Sequence, residues 1–324
     1  MRDFLLSYDT VTLYPKHSKL PSRGQADTSL VFCGRQFNLP VVPANMKDVI
    51  DKTTAKYLSE NNYFYIYHRF GDGDDMIYNF VKEAFEENWK LISISVGVNT
   101  GDITQLNSIL YAGYRIDFIT IDVAHADHEN VREIITYVRK NFPTTKLIVG
   151  NVATFEGVSY LCDLMVDAVK VGIGGGSICT TRYMTGFHIP TLESVARASE
   201  VMNKGNWGGI PIIADGGAKH YGDIAKALTF GDSMVMSGGW FASCIDSPAK
   251  IVNGKKVYRG STSYELKGHH RNVEGRQLEL DGGTTYEQRL TEIKDALQSS
   301  ISYAGGTNLS AFNTVKWGRI LPFH

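Results

Sequence analysis

The chain has 324 residues, 43 % of them hydrophobic and 21 % charged, with a net charge of −1. That content supports one large α/β barrel or two ordinary domains. The scattered Lys and Arg exclude a nucleic-acid-binding stripe, and there is no acidic tail to act as a solvating segment.

The first residues, MRDFLLSYDTVTLYP, lack a basic segment followed by a sustained apolar run, so a signal peptide is not expected. No later stretch approaches the roughly 18 apolar residues of a membrane span. A cytoplasmic protein without membrane or nucleic-acid partners is the expectation. Eight short apolar runs follow in order: 39–46, 63–70, 91–98, 117–124, 146–153, 167–174, 210–217 and 233–240. Amphipathic segments fill the gaps. DDMIYNFVKEAFEEN places Met76, Ile77, Phe80, Val81, Ala84 and Phe85 on one helical face. HENVREIITYVRKNF does the same with Val131, Ile134, Ile135 and Val138, and GDIAKALTFG with Ile224, Ala227 and Leu228. Near-continuous apolar strands alternating with helices predict a parallel sheet covered on its outside. Eight such units predict a (β/α)8 TIM barrel with its site at the C-terminal ends of the strands, in preference to an open doubly wound sheet. Residues 246–285 are polar, Gly-rich and too long for an ordinary connection, which predicts a flap after strand eight. A last helix is expected over 286–302. The whole chain, 1–324, reads as one barrel domain without a regulatory insert.

Chemistry-bearing residues stand just after these strands. The seventh ends in Asp215, Gly216 and Gly217, and the eighth runs into Gly238 and Gly239. Barrels bind phosphate with the loops after these two strands, where glycine lets backbone N–H groups approach the oxygens. Asp215 is then suited to accept from ribose hydroxyls. After the sixth run comes VGIGGGSICTTR (171–182), in which Cys179 follows a glycine loop. Position alone leaves two readings open, a thiolate nucleophile or a small buried hydrophobe. The four cysteines are far apart and form no CxxC pair, which argues against a disulfide framework or a zinc finger. HADHE (125–129) could ligate a metal, but without a further strand-end ligand set, substrate contact or helix capping is the preferred reading. GDGDD (71–75) lacks the closing glutamate of a calcium loop, so Asp74 and Asp75 are read as helix caps. His269 and His270, in the flap, read as solvated.

The motifs in order are PANM (43–46), YHRF (67–70), ITIDVAH (119–125), GNVAT (150–154), VGIGGGSICTTR, IIADGG (212–217), HYGDIAKAL (220–228), MVMSGGWFA (234–242), NVEGR (272–276) and LQSSISYAGGT (297–307). Together they resemble the IMP dehydrogenase/GMP reductase family over nearly the whole chain, and the last two resemble its bacterial reductase branch. The resemblance implies a (β/α)8 barrel, a homotetramer, and NADPH-dependent reductive deamination of GMP to IMP and ammonia. In that scheme Cys179 forms a covalent thioimidate at purine carbon 2, and Thr181 and Glu274 handle the proton of the leaving amine. Ser177, Gly216, Gly217, Gly238 and Gly239 match phosphate-side contacts and Asp215 the ribose contact. Arg271 and Gly275 match positions near the base, and Arg69, Asp122 and Ala124 match the cofactor side. The carbonyls of Gly174, Gly176 and Cys179 match a monovalent-cation site, for K+. Two departures stand out: Gly175 where the family has proline, and Ser261 where it has methionine. The alternative, an IMP dehydrogenase lacking its regulatory domain, is disfavoured because 63–98 has no room for that domain and 264–285 has no Arg-Tyr pair. A binding protein without turnover is the third reading.

Overall fold

The computed structural model describes residues 4–71, 75–204, 207, 209–231, 233–260, 263 and 274–320. Two short antiparallel pairs frame the chain's beginning. β1 (Val11–Leu13) pairs with β14 (Trp317–Arg319), and β2 (Leu30–Phe32) pairs with β3 (Arg35–Phe37). The second pair closes through Cys33 and Gly34, both at positive φ (49° and 85°), which matches the right-handed twist of a tight hairpin. Its Phe32 and Phe37 meet Phe64 and Phe118 in a fully buried aromatic cluster with ring centroids 5.1–6.2 Å apart. Phe118 opens its strand, so this cluster seals the bottom of the barrel, away from the strands' C-terminal ends.

The barrel strands are β4 (Val41–Pro43), β5 (Ser93–Val96), β6 (Phe118–Asp122), β7 (Lys146–Val152), β8 (Ala168–Val171), β9 (Ile212–Asp215) and β10 (Met234–Ser237). They form one parallel sheet in the order β4-β10-β9-β8-β7-β6-β5. Seven of the eight expected runs are thus regular strands. The second run takes its place in the barrel as an extended segment with a single bridge, Tyr67 to Ile94. Tyr67 donates to the Ser93 carbonyl (3.0 Å) and accepts from the Ser95 N–H (2.8 Å). On its other side β4 spans only three residues, too short a template for a longer ladder. The fold is a (β/α)8 barrel.

Helices α1 (Lys52–Glu60), α2 (Met76–Glu86), α3 (Thr100–Ala112), α4 (Glu129–Asn141), α5 (Phe155–Asp163), α6 (Thr181–Thr185), α7 (Thr191–Lys204), α8 (Gly222–Thr229) and α9 (Gly239–Ala242) alternate with the strands, and α10 (Tyr286–Tyr303) follows the flap. The expected apolar faces of α4 and α8 are buried. On α2, Ile77, Phe80, Val81 and Ala84 are buried, but Phe85 lies at the edge of the face, 40 % exposed and against the Tyr114 ring. The capping expectation for α2 needs correction. Asp75 is the cap residue but its side chain makes no capping bond; Gln105 of α3 accepts from the N–H groups of Ile77 (2.8 Å) and Tyr78 (3.3 Å) instead. Asp74 lies outside the described residues. His128, one of the HADHE pair, caps α4 by accepting from the Asn130 N–H at 3.1 Å. Among the described residues no His, Cys, Asp or Glu group is arranged to hold a metal ion, and no helix is long and apolar enough to cross a membrane.

The flap segment is more ordered than its composition predicts. β11 (Lys250–Val252), β12 (Lys255–Arg259) and β13 (Gln277–Leu280) make an antiparallel sheet. Asn253 and Gly254, both at positive φ, form the β11–β12 turn, and the Asn-Gly pair is a strong hairpin signal. The flap is pinned to the barrel by Arg259, whose Nε (2.8 Å) and backbone N–H (2.9 Å) both donate to the buried carboxylate of Asp48 in the loop after β4.

Candidate active site

A cavity of about 330 Å³ opens at the C-terminal ends of the strands. Most of its wall comes from three loops, 172–179 after β8, 215–219 after β9 and 237–240 after β10, and the flap adds Tyr258, Gly260, Glu274 and Gly275. Two of these loops pack backbone against backbone. Gly216, at φ +86°, carries a position where a Cβ would lie 2.9 Å from the Gly176 nitrogen. A Cβ on Gly175 would lie 2.4 Å from the Thr191 hydroxyl, which fills the space beneath the loop. These glycines therefore serve loop-on-loop packing. A side chain at 175, proline included, has no room while the Thr191 hydroxyl stands where it does.

The packed loops carry Cys179 to the cavity wall. Cys179 Sγ donates to Thr181 Oγ1 at 3.1 Å, and Thr181 Oγ1 donates to Glu274 Oε2 at 2.5 Å. The second of these is short, as hydrogen bonds to carboxylates are. Glu274 comes from the far end of the flap, 93 residues from Thr181 in sequence. Its neighbours pair with the cysteine loop as an added strand. Cys179 and Gly275 form an antiparallel bridge, the Thr180 N–H donates to the Glu274 carbonyl (2.8 Å), and the Arg276 N–H to the Ile178 carbonyl (2.9 Å). The Arg276 guanidinium closes the pairing on the Ser177 carbonyl at 2.7 and 3.0 Å.

Glu274 also lines a second cavity of about 500 Å³, together with Ala124, His125, Ala153, Thr154, Thr181 and Phe187. This lining is mainly apolar, whereas that of the first cavity is mixed: glycine backbone, Asp215, Asn151 and Ser237 beside Met46, Met236, Trp240 and Tyr258. The Cys179–Thr181–Glu274 chain forms the partition between the two.

Of the residues singled out from sequence, Gly174, Gly176, Ser177, Cys179, Asp215, Gly216, Gly217, Gly238, Gly239, Glu274 and Gly275 all line the first cavity. Ala124 lines the second, and Thr181 stands at the partition. Asp122 ends β6. Burial alone raises its carboxyl, but Lys170, then Arg69 and Asn45, outweigh this and hold it below the usual carboxylate range. Arg69 and Asp122 are thus brought together. Arg271, like Ser261, His269 and His270, lies outside the described residues. The carbonyls proposed for a monovalent cation are partly engaged, that of Gly176 accepting the Cys179 N–H at 3.1 Å, which leaves one lone pair for an ion.

Three residues escaped the sequence reading. Lys170, 2 % exposed, joins Asp122 (2.8 Å) and Asp215 (2.6 Å). Asn151 donates to Asp215 Oδ2 at 2.9 Å. Buried Tyr258 of β12 lines the first cavity and donates to Met46 Sδ at 3.4 Å. A lysine inside an otherwise apolar strand was the available signal for the first. Asn151 stood within the GNVAT motif at the end of β7, and Tyr258 had no signal.

A barrel with two cavities meeting at a thiol, a hydroxyl and a carboxylate defines an enzyme of the α/β barrel class. The IMP dehydrogenase / GMP reductase domain model matches residues 5–317. A GMP reductase of Oenococcus oeni is 42 % identical over 319 residues, covering 97 % of this chain and 96 % of the relative. GMP reductases of Leptothrix cholodnii (40 %) and Oceanobacillus iheyensis (41 %) each cover 97 % of this chain and 95 % of their own length. The chain belongs to the IMP dehydrogenase/GMP reductase family of oxidoreductases, a family that implies a nicotinamide cofactor.

Proposed function

We propose that the protein is a GMP reductase, converting GMP to IMP and ammonia at the expense of NADPH in purine nucleotide interconversion. The observation that carries this reading is the Cys179–Thr181–Glu274 chain standing between a glycine-walled cavity of mixed polarity and a larger, mainly apolar one. The first suits a nucleotide and the second a nicotinamide ring, and the nucleophile lies where the two would meet.

Cys179, as thiolate, adds to carbon 2 of the purine. The exocyclic amine must leave as ammonia, which requires a proton. Thr181 relays it and Glu274 holds it, general acid–base work for which hydrogen-bond reach is the first requirement. Loss of ammonia leaves carbon 2 joined to sulfur as a thioimidate, splitting one hard substitution into two easier steps. When bound, the reduced nicotinamide supplies the hydride that replaces sulfur at that carbon. Cys179 then departs as thiolate. The backbone of Ser177, Gly216, Gly217, Gly238 and Gly239 takes the phosphate, Asp215 the ribose, and Gly275 with Arg271 the base. Arg69, Asp122 and Ala124 serve the cofactor. A K+ ion on the carbonyls of Gly174, Gly176 and Cys179 would brace the loop. We place the enzyme in the cytoplasm, where its four unpaired cysteines stay reduced, as a homotetramer of single-barrel subunits.

The test is direct. Purified protein is mixed with GMP and NADPH, and NADPH absorbance and IMP are followed together. Consumption of NADPH with equimolar IMP is expected. No consumption, with NADH formed instead from IMP and NAD, would overturn the reading in favour of the dehydrogenase.

A further inference from the structure

Asp122, Gly150 and Lys170 form one lateral row across β6, β7 and β8. The middle member is glycine, and a Cβ there would lie 2.6 Å from the Lys170 Cβ. Removing that side chain opens a window through which the lysine reaches past β7 to Asp122 (2.8 Å). The same ammonium reaches Asp215 on the other side at 2.6 Å. With a relative exposure of 2 %, it has essentially no water to share, so the two carboxylates are its solvation. Asp215 lines the glycine-walled cavity, whereas Asp122 lines neither cavity and stands on the cofactor side only under the proposed function. Lys170 and Asn151 both donate to Asp215 Oδ2, which leaves Oδ1 for a ligand.

We infer that Lys170 is a positioning residue that couples the nucleotide and cofactor sites by sharing one buried ammonium between Asp215 and Asp122. This rests on the reading above, in which Asp215 meets the GMP ribose and Asp122 the cofactor. A carboxylate whose neighbour carboxylate is neutralised must oppose the whole ammonium charge itself. It then becomes a poorer acceptor for a ligand hydroxyl. Each carboxylate therefore sets the acceptor strength of the other. A ligand drawing on one changes the affinity of the second site, and linkage makes the effect reciprocal.

The test is a double-mutant cycle on Asp122→Asn and Asp215→Asn, with GMP and NADP+ binding measured separately by calorimetry and both KM values measured at steady state. Asp122→Asn is expected to weaken GMP binding at least about fivefold, although Asp122 is not in the GMP cavity. Asp215→Asn weakens NADP+ binding similarly, and the double variant loses less than the product of the two. Lys170→Met removes the shared cation, so in that background Asp122→Asn should no longer weaken GMP binding, and Lys170→Arg should keep part of the coupling, since a guanidinium can still serve two carboxylates. If Lys170→Met does not fold, the Asp→Asn cycle still decides, because it leaves the lysine in place. Effects confined to each residue's own ligand and multiplying in the double variant overturn the coupling. Wild-type turnover is read in the same series. Its absence counts against the reductase reading, whereas turnover with independent effects counts against the coupling alone.

Discussion

Glu274→Gln isolates proton transfer from positioning. The substitution keeps the side chain's size and its ability to hydrogen-bond Thr181 Oγ1, which now stands 2.5 Å from Oε2. It removes only the capacity to hold and release a proton. The backbone on either side stays anchored, with the Thr180 N–H on the Glu274 carbonyl (2.8 Å) and the Arg276 N–H on the Ile178 carbonyl (2.9 Å). The flap end should therefore remain in place. A positioned general acid or base contributes about 10²–10⁴ in rate, or roughly 3–5 kcal/mol of barrier. The expected result is a fall of that size in kcat, with the GMP KM within about threefold of wild type. The assay is NADPH absorbance at saturating GMP and NADPH, with thermal unfolding as a check on the fold. A kcat within about fivefold of wild type, or a loss expressed wholly as a raised KM, would refute the proton role and leave Glu274 as a flap tether.

Three further outcomes follow from the same geometry. Cys179→Ala should bind GMP by calorimetry yet give no covalent adduct by intact mass; an adduct in that variant would remove Cys179 as the nucleophile. Gly175→Ala sets a Cβ 2.4 Å from the Thr191 hydroxyl, an overpacking that should cost about 1–3 kcal/mol. Adding Thr191→Ala should restore part of the lost Tm, and an unchanged Tm in the single variant would contradict the clash. Burial, followed by the Lys47 charge, pushes the His68 imidazole down to about 4, so between that value and its ordinary 6.5 the unfolded chain binds the extra proton. Stability should then fall as pH drops through this window, by on the order of 3 kcal/mol from this residue. His68→Gln should flatten the pH dependence of the urea midpoint across that window, and an unaltered slope would show that His68 is not its source.

What the sequence made legible follows from the length scale of each signal. Barrel strands are local apolar runs, and the segments between them have helical periodicity, so β4 to β10 and the faces of α4 and α8 could be read directly. The second run has the same composition as a strand, yet only Tyr67 bridges, because pairing depends on what the neighbouring chain offers. The cap of α2 failed for a similar reason: Asp75 has the right chemistry, but Gln105 from another helix takes the bonds. Glycines after strands announced the cavity. They did not announce that Gly175 answers Thr191, a contact between residues whose pairing no period encodes. The flap read as loop because its strands are short and polar, although Asn253-Gly254 marked its turn.

The thiol, the hydroxyl and the carboxylate sit on two separate pieces of chain. Cys179 and Thr181 ride on a loop fixed from below by Thr191 and from the side by Gly216. Glu274 rides on the flap and reaches them only when residues 274–276 pair with 178–180. Arg259 on Asp48 anchors the flap at its near end, and Arg276 on the Ser177 carbonyl latches the far one. This pairing places the Glu274 carboxylate in the wall between the two cavities. Under the reductase reading, the nucleophile would then meet its proton source only when the two cavities are partitioned. The buried Lys170 bridge joins Asp122 and Asp215 through strand residues alone, without a contribution from the flap.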